Sequence, residues 1–178
     1  MILGIDPGSR VTGYGVICIK NKKISAIEFG TWALKGDMSI RLAKLQACLT
    51  ALLYQYPITA VSLEQSFVHL NVAAALKLGQ VRGVVMATVA SRHIALYEYA
   101  TRQVKQAIVG TGAATKEQVQ HMISKLLALD SIPSHDAADA LALAVSHLNQ
   151  PYTHTSRTKR GRASSRKLWT HYDSATKR

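Results

Sequence analysis

ILGIDPGSRVTGYGVI, residues 2–17, sets a short apolar run, an acid and a glycine turn in sequence. Ile2, Leu3, Gly4 and Ile5 run straight into the carboxylate of Asp6, and Pro7, Gly8 and Ser9 then stop a strand and open a turn. A charge set against a hydrophobic sheet requires a partner, a hydrogen-bond network or a metal. The plain alternative is that Asp6 caps a turn, a common use of Asp before Pro and Gly. Val11 to Ile19, rich in β-branched residues and carrying Gly13 and Gly15, reads as a second strand beside the first. A polar turn at Asn21, Lys22 and Lys23 leads to a third strand from Ile24 to about Leu34, so the chain opens as an antiparallel meander.

Leu42, Leu45, Leu49, Leu52 and Tyr56 recur at helical spacing until Pro57 ends the pattern. Ile58 to Leu63 has the length and composition of a buried parallel strand, and it too delivers a carboxylate, Glu64, at its C-terminal end. Open α/β sheets place their sites at that edge. Asn71 to Ala90 reads as a long helix with Gly79 and Gly83 as close-packing points. Ile94 to Tyr99 follows as a strand and Thr101 to Val109 as a short helix. Thr115 and Gln118 form a capping box for a helix reaching about Leu129, which Ser131, Ile132 and Pro133 close. In the last helix, HDAADALALAVSHLN, Asp136 and Asp139 stand three residues apart and share a face. Acids are common in a first helical turn because the dipole favours them there. These two, however, interrupt an otherwise apolar helix.

The 178 residues suit one domain, expected over residues 1–150, followed by a basic, flexible tail at 151–178. The last 28 residues hold eight of the 22 Lys and Arg and one of the ten acids, so the tail carries over half of the net charge of +12. Such a charge is the footprint of a protein that meets phosphate backbones. No run reaches the roughly 18 consecutive apolar residues of a membrane span. Asp6 stands where a signal peptide would carry its apolar core. A cytoplasmic protein without a membrane partner is therefore expected. Cys18 and Cys48 are too few for a disulfide framework and read as buried small hydrophobes.

Asp6, Glu64, Asp136 and Asp139 thus come from three elements that can meet at one edge of a sheet. Like charges at short range repel and raise one another's pKa. Divalent cations resolve that conflict, and a set of hard oxygen ligands without a His or Cys cluster favours Mg²⁺, or Mn²⁺ in its place, over zinc. Two such ions, about 3.5–4 Å apart, suit in-line phosphoryl displacement. With a basic surface to recruit nucleic acid, the residues point to a metal-dependent nuclease.

The segments LGIDPGSRVTGYGVI, LEQSF, ALKLGQVRG, YATRQVKQAIVG, TKEQVQHM and HDAADALALA, in this order from residue 3 to residue 144, closely resemble the RuvC family of Holliday-junction resolvases. The resemblance implies an α/β fold of the ribonuclease-H-like kind, a mixed five-stranded sheet flanked by helices. It also implies a homodimer that nicks two opposed strands of a four-way DNA junction, using Mg²⁺ or Mn²⁺, with RuvA and RuvB as partners. By motif, Asp6, Glu64, Asp136 and Asp139 match the catalytic, metal-binding acids, and His135 is a neighbour of the last pair. Phe67 matches an aromatic used against bases at the junction centre, where stacking is worth roughly 1–3 kcal/mol. Lys105 and Lys116 match basic positions used for DNA and activity. Arg10 and Arg82 lie inside matched motifs and are assigned to phosphate contact or ion pairing. Rival readings are a junction-binding module that does not cut, an RNA-processing nuclease of the same fold, and an actin-like ATPase or sugar kinase. The last needs a second phosphate loop and a second domain, and this chain shows neither.

Overall fold

The computed structural model describes residues 1–21, 23–65 and 71–149. Phe67 and the tail at 151–178 lie outside the described residues. The chain runs β1 (Ile2–Asp6), β2 (Val11–Lys20), β3 (Lys23–Ala33), α1 (Met38–Gln55), β4 (Ala60–Gln65), α2 (Val72–Ala90), β5 (Ala95–Ala100), α3 (Thr101–Val109), α4 (Lys116–Leu126) and α5 (His135–Asn149). The five strands form one sheet in the order β3-β2-β1-β4-β5. β1, β2 and β3 pair antiparallel, as the meander required, whereas β1 with β4 and β4 with β5 are parallel.

Two cores cover the two faces. Alternation along a strand sends Leu3, Ile5, Val61 and Leu63 to one face, where they pack with Leu45 and Leu49 of α1 and Val81 and Val85 of α2. The other face carries Ile17 and Tyr99 against Val104, Val119, Ile123 and Leu141 of the remaining helices. On that second face β1 presents Ile2, Gly4 and Asp6, and β4 presents Ser62 and Glu64. α5 lies there almost on the backbone of the sheet. A Cβ at Gly4 would overlap the Ala140 carbonyl, and one at Gly13 would overlap the Asp136 carbonyl. Glycine within a strand marks such a close backbone approach. The buried Ser62 hydroxyl donates to the Leu143 carbonyl at 2.7 Å and locks the register of α5 against β4.

Two local expectations need correction, and a third observation stands beside them. α4 stops at Leu126 rather than near Leu129, because Ala128 takes a positive φ of 49° and Leu129 N–H turns back to the Ser124 carbonyl at 2.9 Å. Cys18 and Cys48 are free thiols but only half-buried, since Cys18 precedes the exposed end of β2 at Ile19 and Lys20 and Cys48 follows the exposed Gln46 and Ala47 of α1. α2, at 19 residues and a mean hydropathy of 1.4, is long and apolar enough to cross a membrane by length and composition. A count of consecutive apolar residues misses this because Lys77, Gln80 and Arg82 interrupt the run. Its Val81, Val85 and Val89 are wholly buried against the sheet and α1, as in the core helix of a globular protein.

Candidate active site

β1 and β4 are parallel and in register from Ile2 opposite Ala60 to Ile5 opposite Leu63, so Asp6 and Glu64 emerge side by side at one sheet edge. The turn after Asp6 is braced from within. Thr12, wholly buried, donates its hydroxyl to the Gly8 carbonyl at 3.0 Å and accepts from Gly8 N–H at 3.3 Å. It is braced from outside by Arg41 of α1, which donates to the Ser9 carbonyl at 3.2 Å and to the Gly36 carbonyl at 2.6 Å. Thr115 caps α4 as its box predicts: Gln118 N–H reaches the Thr115 hydroxyl at 3.3 Å and Thr115 N–H reaches Gln118 Oε1 at 2.8 Å. That cap sets the next residue, Lys116, over the site.

Asp6, Glu64 and Asp139 line one cleft of about 120 Å³ with Thr101, Lys105 and Lys116, walled by Val104, Val119 and Leu143. Asp136 is half-buried and does not line it, but its charge still acts on Asp6 and Asp139. Lys116 Nζ lies 3.6 Å from Asp139 Oδ2. Burial pushes the Asp6 carboxyl up to about 7, helped by the charges of Glu64, Asp139 and Asp136 and opposed by Lys116. Burial also raises Asp139, with Lys116 pulling down and Glu64 and Asp136 pushing up. Among the described residues, no three His, Cys, Asp or Glu side chains close into a finished ligand cluster. The half-buried carboxylates of Asp6, Glu64 and Asp139 offer hard oxygen ligands to one cleft, and that donor set fits a hard divalent cation.

Of the other expected residues, Lys105 lines the cleft and Arg10 is exposed at the end of the turn. Arg82 is mostly buried and donates to the Glu64 carbonyl and to the Glu98 carboxylate, so its guanidinium serves the ion pairing named for it. Three residues went unnoticed in the sequence: Thr12, Arg41 and Thr101. Thr12 had a local signal, a hydroxyl four residues after the turn glycine. Arg41 and Thr101 reach their partners only across the tertiary fold.

The profile of the crossover junction endodeoxyribonuclease RuvC family matches residues 2–147. The chain belongs to the RuvC family. It is 48% identical over 148 residues to the crossover junction endodeoxyribonuclease RuvC of Photorhabdus laumondii, covering 83% of this chain and 86% of that one. The RuvC of Chromohalobacter salexigens is 42% identical over 175 residues, 97% of this chain and 94% of its own. The structure of Thermus thermophilus RuvC in complex with Holliday junction substrate superposes with a TM-score of 0.75 at 27% identity, over 83% of this chain and 92% of that one. The ribonuclease-H-like resolvase fold expected from the RuvC motifs is therefore the fold this chain adopts. RuvC nucleases depend on metal, in keeping with the carboxylate edge of this sheet.

Proposed function

We propose that this chain is a metal-dependent endonuclease that resolves four-way (Holliday) DNA junctions by paired symmetric nicks, working in the cytoplasm beside RuvA and RuvB. The observation that carries the reading is the meeting of Asp6, Glu64 and Asp139 in one cleft under Lys105 and Lys116, in a chain of net charge +12. Asp6, Glu64 and Asp139 would hold the cation, Mg²⁺ with Mn²⁺ as substitute, and Asp136 at the rim would complete a two-ion set. A divalent cation there supplies Lewis acidity for water activation and for charge on the scissile phosphate. Lys116 balances the carboxylates, and Lys105 draws the DNA backbone to the cleft mouth. Thr12 and Arg41 hold the Asp6 turn. Arg10 faces solvent where a phosphate can reach it, and Phe67 would stack on a base at the junction centre. The domain is residues 1–150, with the tail at 151–178 as a basic arm for DNA.

Paired nicks need two copies, and α2 supplies a face for the second. Val72, Leu76, Gly79, Gly83, Met86 and Ala90 fall on one stripe of that helix. Val72 is 71% exposed and Leu76 65%, and a Cβ at either glycine would meet open space. Two such stripes can approach closely in a homodimer. Crosslinking at Gly79 of a cysteine-substituted chain should give a covalent dimer, and a purely monomeric product would remove this face from the reading.

The activity test incubates the protein with a four-way junction, a linear duplex and a structured RNA, each with Mg²⁺ and with EDTA. Paired nicks in the junction with Mg²⁺ alone are expected. Binding without cleavage under every metal condition would overturn the nuclease reading in favour of a binding module.

A further inference from the structure

Glu64 differs from Asp6 and Asp139, the other acids of the cleft, by having one more rotatable bond, and it is the penultimate residue of β4. Its backbone is well held: it pairs with Tyr99 in the β4–β5 ladder, and Arg82 donates to its carbonyl. The side chain is what remains to be fixed, and a long acid loses rotamer freedom when ordered. β5 passes without a loop into α3, so Thr101, the first residue of that helix, stands one step beyond Ala100, which pairs with Gln65. The Thr101 hydroxyl donates to Glu64 Oε1 at 2.5 Å, the short range of a hydrogen bond to an ionised carboxylate.

That hydroxyl has no role in capping its own helix. The N-cap is Ala100, whose N–H is taken by Gln103 Oε1 at 3.2 Å. Threonine at the cap itself would stabilise α3 relative to alanine. The chain instead carries its hydroxyl one residue later, where it is exposed to solvent and useful to the helix in no evident way, but where it meets Glu64.

We propose that Thr101 is a positioning residue for Glu64, holding one carboxylate oxygen so that the other is presented to the cleft. The inference rests on the metal-site reading and adds to it the device that orients one ligand. Outer hydrogen bonds of this kind set ligand direction, and their loss weakens metal binding by about tenfold or more.

The test is Mn²⁺ titration of the full chain by calorimetry without DNA, alongside junction affinity in EDTA and cleavage kinetics with Mn²⁺. Thr101→Val, which keeps the shape and removes the hydroxyl, should bind Mn²⁺ about tenfold more weakly. Its kcat should fall while the KM for junction and the EDTA affinity hold. Thr101→Ser should restore Mn²⁺ binding to within about twofold, since only the hydroxyl is required. Should the valine variant fold poorly, Thr101→Ala removes the same hydroxyl with a better helix former. Mn²⁺ binding by the hydroxyl-free variant equal to that of the unaltered chain would overturn the inference while sparing the metal reading. So would a serine variant as weak as valine. Asp6→Asn serves as the control: full Mn²⁺ binding by that variant would overturn the metal reading and this inference with it.

Discussion

The two faces of the sheet are built from the same strands and do opposite things. On the face toward α1 and α2, Leu3, Ile5, Val61 and Leu63 meet large aliphatic side chains, and the layer is a conventional apolar core. On the face toward α5, the alternate positions are Gly4, Gly13, Ser62, Asp6 and Glu64. There the helix comes so near that glycine is needed beneath it. The first face holds the sheet together by area buried. The second gives up side-chain volume so that α5 can bring Asp139 over the strand ends that carry Asp6 and Glu64. Strand alternation thus separates an apolar layer from one that combines a second apolar core with the candidate site.

Asp6→Asn breaks this division most directly. On the proposed reading cleavage should fall by at least about a thousandfold, since a carboxylate that would hold the cation is lost. Stability should move the other way. The Asp6 carboxyl sits at about 7 in the folded protein against 3.8 as its ordinary value. Between those values the unfolded chain has released the proton and the folded chain has kept it. Folding stability in metal-free buffer therefore declines as pH rises from about 4 to 7 and is flat above, by up to about 4 kcal/mol. The Asn variant should melt above the unaltered chain at pH 8 in EDTA and level with it near pH 4. A variant that melts lower at pH 8 would show that Asp6 is not under that strain.

Gly13→Val and Leu49→Ala set the two faces against each other. Valine at 13 overlaps the α5 backbone and should cost about 3 kcal/mol or more by overpacking, and it should lower kcat of the folded protein too. Alanine in place of Leu49, wholly buried between α1 and the sheet, should cost about 2–5 kcal/mol yet leave kcat per folded molecule nearly unchanged. Denaturant melts paired with single-turnover cleavage separate the outcomes. Equal kcat loss in both variants would dissolve the contrast.

Lys116→Met is a smaller perturbation confined to the second face. Lys116 lowers both Asp6 and Asp139, so its removal should shift the acid limb of the cleavage rate profile to higher pH. A rate drop of about ten- to a hundredfold near neutrality should accompany the shift. A uniform loss at every pH would make Lys116 a DNA contact only. Smallest of all, removing residues 150–178 should flatten the salt dependence of junction affinity, because fewer counterions are released. An unchanged slope would leave the tail without that task.

Much of this was legible along the chain. The apolar run into Asp6, the matching run into Glu64, the capping box at Thr115 and the DAAD spacing each reside within a few residues, where local patterns act. The ten elements follow from the same local signals, apart from the end of α4 at Ala128, whose left-handed turn has no glycine to announce it. What stayed hidden needs partners distant in sequence. Arg41 reaches Ser9 across 32 residues, Thr101 reaches Glu64 across 37, and Arg82 turns inward to Glu64 and Glu98 rather than outward. That Asp136 does not line the cleft is likewise a matter of how α5 lies across the sheet, not of its three-residue offset from Asp139.

By itself the sequence determined the strand-ending acids, the helix that carries the last two, the basic charge and the RuvC kinship. Only the tertiary structure decided which acids share a cleft, which lysine balances them and which hydroxyl steadies Glu64. The physical reason is range. Hydrophobic period and turn chemistry act between neighbours in sequence, while desolvation, charge repulsion and hydrogen bonds across elements exist only once β1, β4, β5 and α5 are packed at atomic distance.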